Sequence, residues 1–248
     1  MERLSNKVAV VTGGSSGIGL AAAKAFAAEG AAVLLVGRRA EAVDAAVRTI
    51  PGAHGLVADV ADVDAHDRVR DVVREKFGGA DIYFANAGVI RITPSDQVAA
   101  EEYDQQFAIN TRGVFFGVQK IVPVLRPGAS IILTSSIASQ KTVVGHAVYA
   151  GAKAAIEAFA RVWAIELKDR GIRVNVLSPG PVETPILSKL GLSPESASAL
   201  EAEMVRISPL GRLGRAVELA DAALFLASDA SSFITGVNLP VDGGIRLA

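Results

Sequence analysis

Val8-Ala9-Val10-Val11-Thr12-Gly13-Gly14-Ser15-Ser16-Gly17-Ile18-Gly19-Leu20 is the stretch that decides the fold. A short run of branched apolar residues reads as a buried strand. It passes straight into a glycine-rich turn, and the Ala-rich stretch Ile18–Glu29 that follows has helical character. Glycines in such a turn let the backbone approach a ligand, and the first N–H groups of the following helix point at an anion. The spacing is neither G-x-G-x-x-G nor a P-loop, which requires Gly-Lys-Ser/Thr. It predicts strand, phosphate-binding turn and helix.

Working outward, the same rhythm recurs. Apolar runs fall at Val33–Val36, Leu56–Val60, Ile82–Ala85, Ile131–Thr134, Val174–Leu177 and Val237–Val241. Helical stretches separate them at Glu41–Ile50, Asp64–Phe77, Glu102–Val122, Tyr149–Leu167 and Val217–Leu226. Strand–helix alternation predicts an α/β fold: a doubly wound, Rossmann-type parallel sheet of seven strands with helices on both faces. No repeat, low-complexity segment or linker divides the chain, so residues 1–248 are expected to form a single dinucleotide-binding catalytic domain. One segment, 185–214, is too long for a simple connection and is interrupted by Pro194 and Pro209. An excursion beyond a strand's C-terminal end reads as a substrate lid; a surface loop without a role is the alternative.

Composition excludes several classes. The chain is 50% hydrophobic and 21% charged, with a formal net charge of -1 and no cysteine. Disulfides and thiolate metal sites are ruled out, and the charge gives no reason to expect nucleic acid or an anionic membrane as partner. No apolar leader opens the chain, and no apolar run is long enough to span a bilayer, so a cytoplasmic location is expected.

The spacing Thr12-Gly13-x-x-x-Gly17-x-Gly19 resembles the cofactor motif of the short-chain dehydrogenase/reductase family. Asp59-Val60, Asn86-Ala87-Gly88, Asn110, Ser136, Tyr149-x-x-x-Lys153, Pro179-Gly180 with Thr184, and Val241-Asp242-Gly243-Gly244 follow in that family's order. The resemblance covers essentially the whole chain. It implies a nicotinamide dinucleotide on Gly13, Ser15, Ser16, Gly17, Ile18 and Gly19 at the phosphates. Asp59 and Val60 would hold the adenine, Asn86, Ala87 and Gly88 the adenosine side, and Pro179, Gly180, Val182 and Thr184 the nicotinamide end.

The second strand ends in Gly37-Arg38-Arg39, where a dinucleotide fold usually places an acid on the ribose hydroxyls. Without a carboxylate to repel a 2′-phosphate, and with a guanidinium to bind it, the cofactor is expected to be NADP(H). Arg38 is the first choice for that contact; two solvated arginines are the alternative.

Tyr149 and Lys153 are one helical turn apart and share a face. A nearby ammonium favours the phenolate, and lowering a phenol by about three pH units needs roughly 4 kcal/mol. The family roles then apply: Ser136 binds the substrate oxygen, Tyr149 exchanges its proton, Lys153 tunes Tyr149 and holds the nicotinamide ribose, and Asn110 anchors a water relay. Ser135 is the alternative serine. His54, His66 and His146 have no metal-ligand spacing, so no metal is expected. His66 sits among acids and reads as solvated; His146 faces either the cleft or water.

Val89, Ile90, Val143, Val144, Ile186 and Leu187, with Met204 from the lid, suggest an apolar cleft for a hydrophobic ketone or secondary alcohol. The expected activity is therefore that of an NADP-dependent carbonyl reductase or secondary-alcohol dehydrogenase. A 3-oxoacyl carrier-protein reductase is the enzymatic alternative, and a non-catalytic NADP-binding sensor a more remote one. The helical stretch Tyr149–Leu167 is apolar nearly all round, including Ile156, Phe159, Val162, Trp163 and Ile165. It calls for cover beyond the sheet: a homo-oligomer, with a tetramer favoured, or else a thick monomer core.

Overall fold

Strand β1, Val8–Thr12, alternates its side chains between two cores, as the two-residue period of a strand dictates. Val8 and Val10 enter one cluster, Ala9 and Val11 the other. The computed structural model of this chain, described for residues 2–185 and 193–248, extends that two-sidedness to a whole sheet. The other strands are β2 Ala32–Gly37, β3 His54–Val57, β4 Ala80–Ala85, β5 Leu125–Thr134, β6 Arg173–Pro179 and β9 Asn238–Val241; β7 Val182–Glu183 and β8 Gly214–Arg215 form a separate pair. The seven-stranded sheet runs in the order β3-β2-β1-β4-β5-β6-β9, with every pairing parallel.

Helices α1 (Gly17–Ala28), α2 (Ala40–Val47) and α8 (Ala216–Ala227) cover one face through Phe26, Ala46 and Leu219–Leu226. On the other face lie α3 (Val63–Phe77), α5 (Gly113–Ile121) and α6 (Ala147–Glu166), which bury Val69, Val118, Ile156 and Trp163. The order reverses direction between β1 and β4. Ligands in such sheets sit in the crevice at the strands' C-terminal ends beside that reversal.

Three expectations need correction. The third strand ends at Val57, short of the predicted Val60, so Asp59 and Val60 belong to the loop beyond it. The stretch Glu102–Val122 is not one regular helix. Helix α4, Ala100–Phe107, passes into a π-helical stretch, Ala108–Arg112, before α5. The cause is tertiary: Gly113 packs so closely on the Val60 carbonyl that a Cβ there would lie 2.4 Å from it, while Asn110 bonds sideways. Third, the segment 185–214 is not interrupted at Pro194 but carries a helix that begins there, α7, Pro194–Ile207, capped by Ser193 Oγ accepting from Ser196 N at 3.2 Å. Its two ends are clasped by β7, Val182–Glu183, and β8, Gly214–Arg215, which pair in parallel.

Candidate active site

Above the strand ends opens a cleft of about 720 Å³. Most of the residues expected to bind cofactor line it: Gly13, Ser16, Gly17 and Ile18 beyond β1, Arg38 beyond β2, and Asp59 and Val60 beyond β3. Asn86, Ala87 and Gly88 enter from β4, and Pro179, Gly180, Val182 and Thr184 from the end of β6 onward. Ser15, Gly19, Gly37 and Arg39 do not line it and act around it. Gly37 packs against Val43 and Ser15, and Arg39 is the exposed N-cap of α2.

The turn is built for an anion. Gly13 has φ +64°, a conformation that disfavours other residues. Gly19 meets the Gly13 carbonyl so closely that a Cβ would stand 2.4 Å from it, which seats the first turn of α1 directly on the loop. The N-cap Ser16 makes no side-chain capping bond, leaving the first N–H groups of α1 open to a ligand. Asn86 braces the loop: its Nδ2 donates to Thr12 O at 3.2 Å, and its own N–H donates to Thr12 Oγ1 at 3.0 Å. Arg38 is exposed on the cleft wall, and neither it nor Arg39 forms an ion pair among the described residues. This uncapped helix start, glycine cradle and free guanidinium fit the phosphates of a dinucleotide.

At the reacting end, Ser136, Tyr149 and Lys153 all line the cleft. Tyr149 and Lys153 are buried, with Lys153 Nζ 5.8 Å from the Tyr149 ring centroid and donating to Thr134 O at 2.9 Å. Burial pushes the Lys153 ammonium down to about 8. Burial also pushes the Tyr149 phenol up, and the hydrogen bond with Ser136 pulls it partly back. The spacing suggests a phenol lowered by Lys153; here the ammonium is turned to the Thr134 carbonyl, and burial outweighs it.

Ser136 and Ser135 part company here. Ser135 is buried, and its hydroxyl donates to Lys153 O at 3.1 Å or Glu157 Oε1 at 3.0 Å. Glu157, one turn beyond Lys153, also receives the Ser139 hydroxyl, so a single carboxylate organises the loop that carries Ser136. Sequence reasoning missed Glu157, although its place on the Tyr149–Lys153 helix face was visible.

Asn110 is fully buried, and its side chain is spent on Val89, donating to Val89 O at 2.9 Å and accepting from Val89 N at 3.0 Å. It reaches the site through Gly88, where a Cβ would lie 3.0 Å from Asn110 Oδ1 and 3.2 Å from Lys153 Nζ. The two bonds to Val89 use half of what the amide can make.

The cleft is also lined by Val89, Ile90, Val143 and Met204, and by Arg91, Lys141, Leu200 and Ile207. Val144 points away and is 86% exposed; Ile186 and Leu187 lie outside the described residues. Leu200, Met204 and Ile207 form a stripe of α7 at helical spacing, a signal present in the sequence. His146 lines the cleft with its ring centroid 6.4 Å from that of Tyr149. His66, expected to be solvated, is buried with Nε2 3.0 Å from Val60 O, because it shares the inward face of α3 with Ala65, Val69 and Val73. Among the described residues no cluster could hold a metal, and no helix is long and apolar enough to cross a membrane.

Comparison with known proteins matches this geometry to a class. Residues 13–246 match the family described as Enoyl-(Acyl carrier protein) reductase. The chain belongs to the short-chain dehydrogenase/reductase family, oxidoreductases whose fold implies a nicotinamide cofactor. Among its relatives, Oxidoreductase asL5 of Sarocladium schorii is 40% identical over 99% of this chain and 98% of its own. The 3-oxoacyl-(acyl-carrier-protein) reductase FabG of Thermotoga maritima is 38% identical over 98% of this chain and 99% of its own. The crystal structure of levodione reductase superposes with a TM-score of 0.93 at 33% identity, covering 99% of this chain and 100% of that one.

Proposed function

We propose that the protein is an NADP(H)-dependent ketoreductase that interconverts ketones and secondary alcohols, with Tyr149 as general acid and base. The observation that carries this reading is the convergence of Ser136, Tyr149 and Lys153 in one cleft with an apolar wall. Arg38 supports NADP(H) over NAD(H), since its guanidinium faces the cleft with no carboxylate paired to it. When bound, the cofactor supplies the hydride for reduction or accepts it for oxidation.

The chain's own groups do the rest. Ser136 Oγ donates to the substrate oxygen and holds it against the Tyr149 hydroxyl. In reduction, Tyr149 gives its proton to that oxygen; in oxidation it takes the proton back. Raised by burial, the phenol is protonated before reduction, and the nearby Lys153 ammonium limits the cost of the phenolate it becomes. Replenishment runs through Lys153. Asn110, held by its two bonds to Val89, anchors a water in that relay. Helix α7 is the lid, presenting Leu200 and Met204 to the substrate. The assembly is a homo-oligomer, with a tetramer favoured, because α6 leaves Val162 53% and Ile165 66% exposed.

A second reading is a 3-oxoacyl carrier-protein reductase. Arg91 favours it: exposed at the cleft, it forms no ion pair among the described residues and could meet an acidic carrier. The non-catalytic sensor loses ground, because it has no use for an assembled serine–tyrosine–lysine site. The test is NADPH oxidation across ketones of increasing bulk and a 3-oxoacyl thioester, with NADH in parallel. Tyr149→Phe should lose about 100-fold or more in kcat while still binding NADPH. Preference for the thioester would favour the second reading, and binding without turnover the sensor.

A further inference from the structure

Three polar side chains at four-residue spacing, Glu102, Gln106 and Asn110, tie one irregular segment of chain to α4 and its π-helical extension. Asn110 bonds both the N–H and the carbonyl of Val89. Gln106 Oε1 accepts from Arg91 N at 3.2 Å, and Glu102 Oε2 accepts from Thr93 Oγ1 at 3.1 Å. The bonded residues are thus 110 with 89, 106 with 91, and 102 with 93. A helix climbs about 6 Å in four residues. A nearly extended chain covers about 6.6 Å in two, so the periods match, and the order of the pairs makes the segment antiparallel to the helix. The residues between the ties, Ile90 and Ile92, line the cleft. At its far end the segment is fastened to the catalytic side, with Thr93 N donating to Gly145 O at 3.0 Å, just before α6 begins.

Stability alone does not account for this ladder. Gln106 is fully buried, yet among the described residues its Nε2 has no hydrogen-bond partner, and the buried Glu102 Oε1 has none either. An apolar interface would avoid both penalties. What the polar groups provide is register: each tie accepts a defined atom of the segment, whereas apolar packing would let it slide.

We propose that Glu102 and Gln106 are positioning residues for substrate specificity: their bonds to Thr93 and Arg91 hold Ile90 and Ile92 as the substrate wall facing Tyr149. The proposal rests on the ketoreductase reading above. Neither side chain touches the reacting atoms, so their removal alters substrate binding and selectivity more than the chemical step.

The experiment compares wild type with Gln106→Leu, Glu102→Leu, Glu102→Gln and Thr93→Val on a bulky and a small ketone. Each folded variant is checked by thermal unfolding, and amide hydrogen exchange is followed over 89–93. Gln106→Leu and Glu102→Leu are expected to raise KM for the bulky ketone about 3- to 10-fold, the worth of one hydrogen bond. Changes in kcat and in KM for NADPH stay within about twofold, and exchange over 89–93 quickens. Glu102→Gln, which keeps an acceptor for Thr93, restores the wild-type KM. If Gln106→Leu fails to fold, Thr93→Val removes one rung from outside the helix and reads the same change. Unchanged KM in the folded variants, or equal losses in kcat and in both KM values, would overturn the proposal. A wild type inactive on every ketone would instead overturn the ketoreductase reading, and the wall's role with it.

Discussion

Replacing Lys153 by Met is expected to make the cofactor-free protein more stable while it abolishes turnover. The side chain is 2% exposed, and burial lowers its pKa from 10.5 to about 8. The difference, 10.5 − 8 = 2.5, corresponds to about 3 kcal/mol of destabilisation while the folded protein carries the ammonium. Opposing this, the bond from Nζ to Thr134 O is lost, and an unpaired buried carbonyl costs about 1–3 kcal/mol. Methionine refills the space of the aliphatic stem with a flexible unbranched chain. The net gain is about 1 kcal/mol, or roughly 2–4 °C in Tm for a chain of this size. The sign with pH follows from linkage. Between about 8 and 10.5 the unfolded chain holds a proton that the folded protein has released, so wild type gains stability as pH rises through that window. Methionine has no such gain. Melting followed by circular dichroism from about pH 7 to about pH 10 should therefore show the variant's advantage shrinking with pH. A variant less stable than wild type near neutrality, or a pH-independent difference, would refute the reasoning.

Arg38→Ser should lower kcat/KM for NADPH about 10- to 100-fold and leave the NADH value within about twofold; equal losses would remove the phosphate contact from Arg38. His66 is held below its ordinary 6.5, chiefly by burial, so wild type loses stability as pH falls from 6.5 toward the lowered folded value. His66→Gln should flatten that acid slope in melts at mildly acid pH, and parallel slopes would discount the histidine. Met204→Ser together with Leu200→Ser should raise KM for bulky ketones about 10-fold and spare small ones. Uniform losses across substrates would mean α7 supports the fold and does not cover the substrate.

The inner strands are legible because their residues are buried on both faces, so runs such as Val8–Val11 and Ile131–Thr134 carry their own signal. The cofactor turn was legible because glycine spacing reflects backbone geometry directly. Pro194 hides helix α7 in the sequence because it looks like an interruption. It sits instead in the first turn after the Ser193 cap, where a missing N–H costs nothing. His66 was misjudged from its acidic neighbours in sequence, whereas the helical period placed it inward with Val69 and Val73. The partners of Lys153 and Asn110, Thr134 and Val89, come from other segments, and no local pattern encodes them.

The π-helical stretch at Ala108–Arg112 limits how this chain can change length. A π-turn holds one residue more than the α-turn it replaces, and each residue of an α-helix advances the rotation by about 100°. Deleting a single residue there would let the helix close up as ordinary α-helix. Because the wide turn takes up its extra residue without adding rotation, α4 would keep its bearing while Val114, Val118 and Ile121 stay in the core. The loss would fall on the turn itself, which carries Asn110 to Val89 and sets Gly113 against the Val60 carbonyl. The same deletion within the regular turns of α5 would instead swing Glu102 and Gln106 away from Thr93 and Arg91 by about 100°, so the helix tolerates a change of length between Phe107 and Gly113 far better than beyond it.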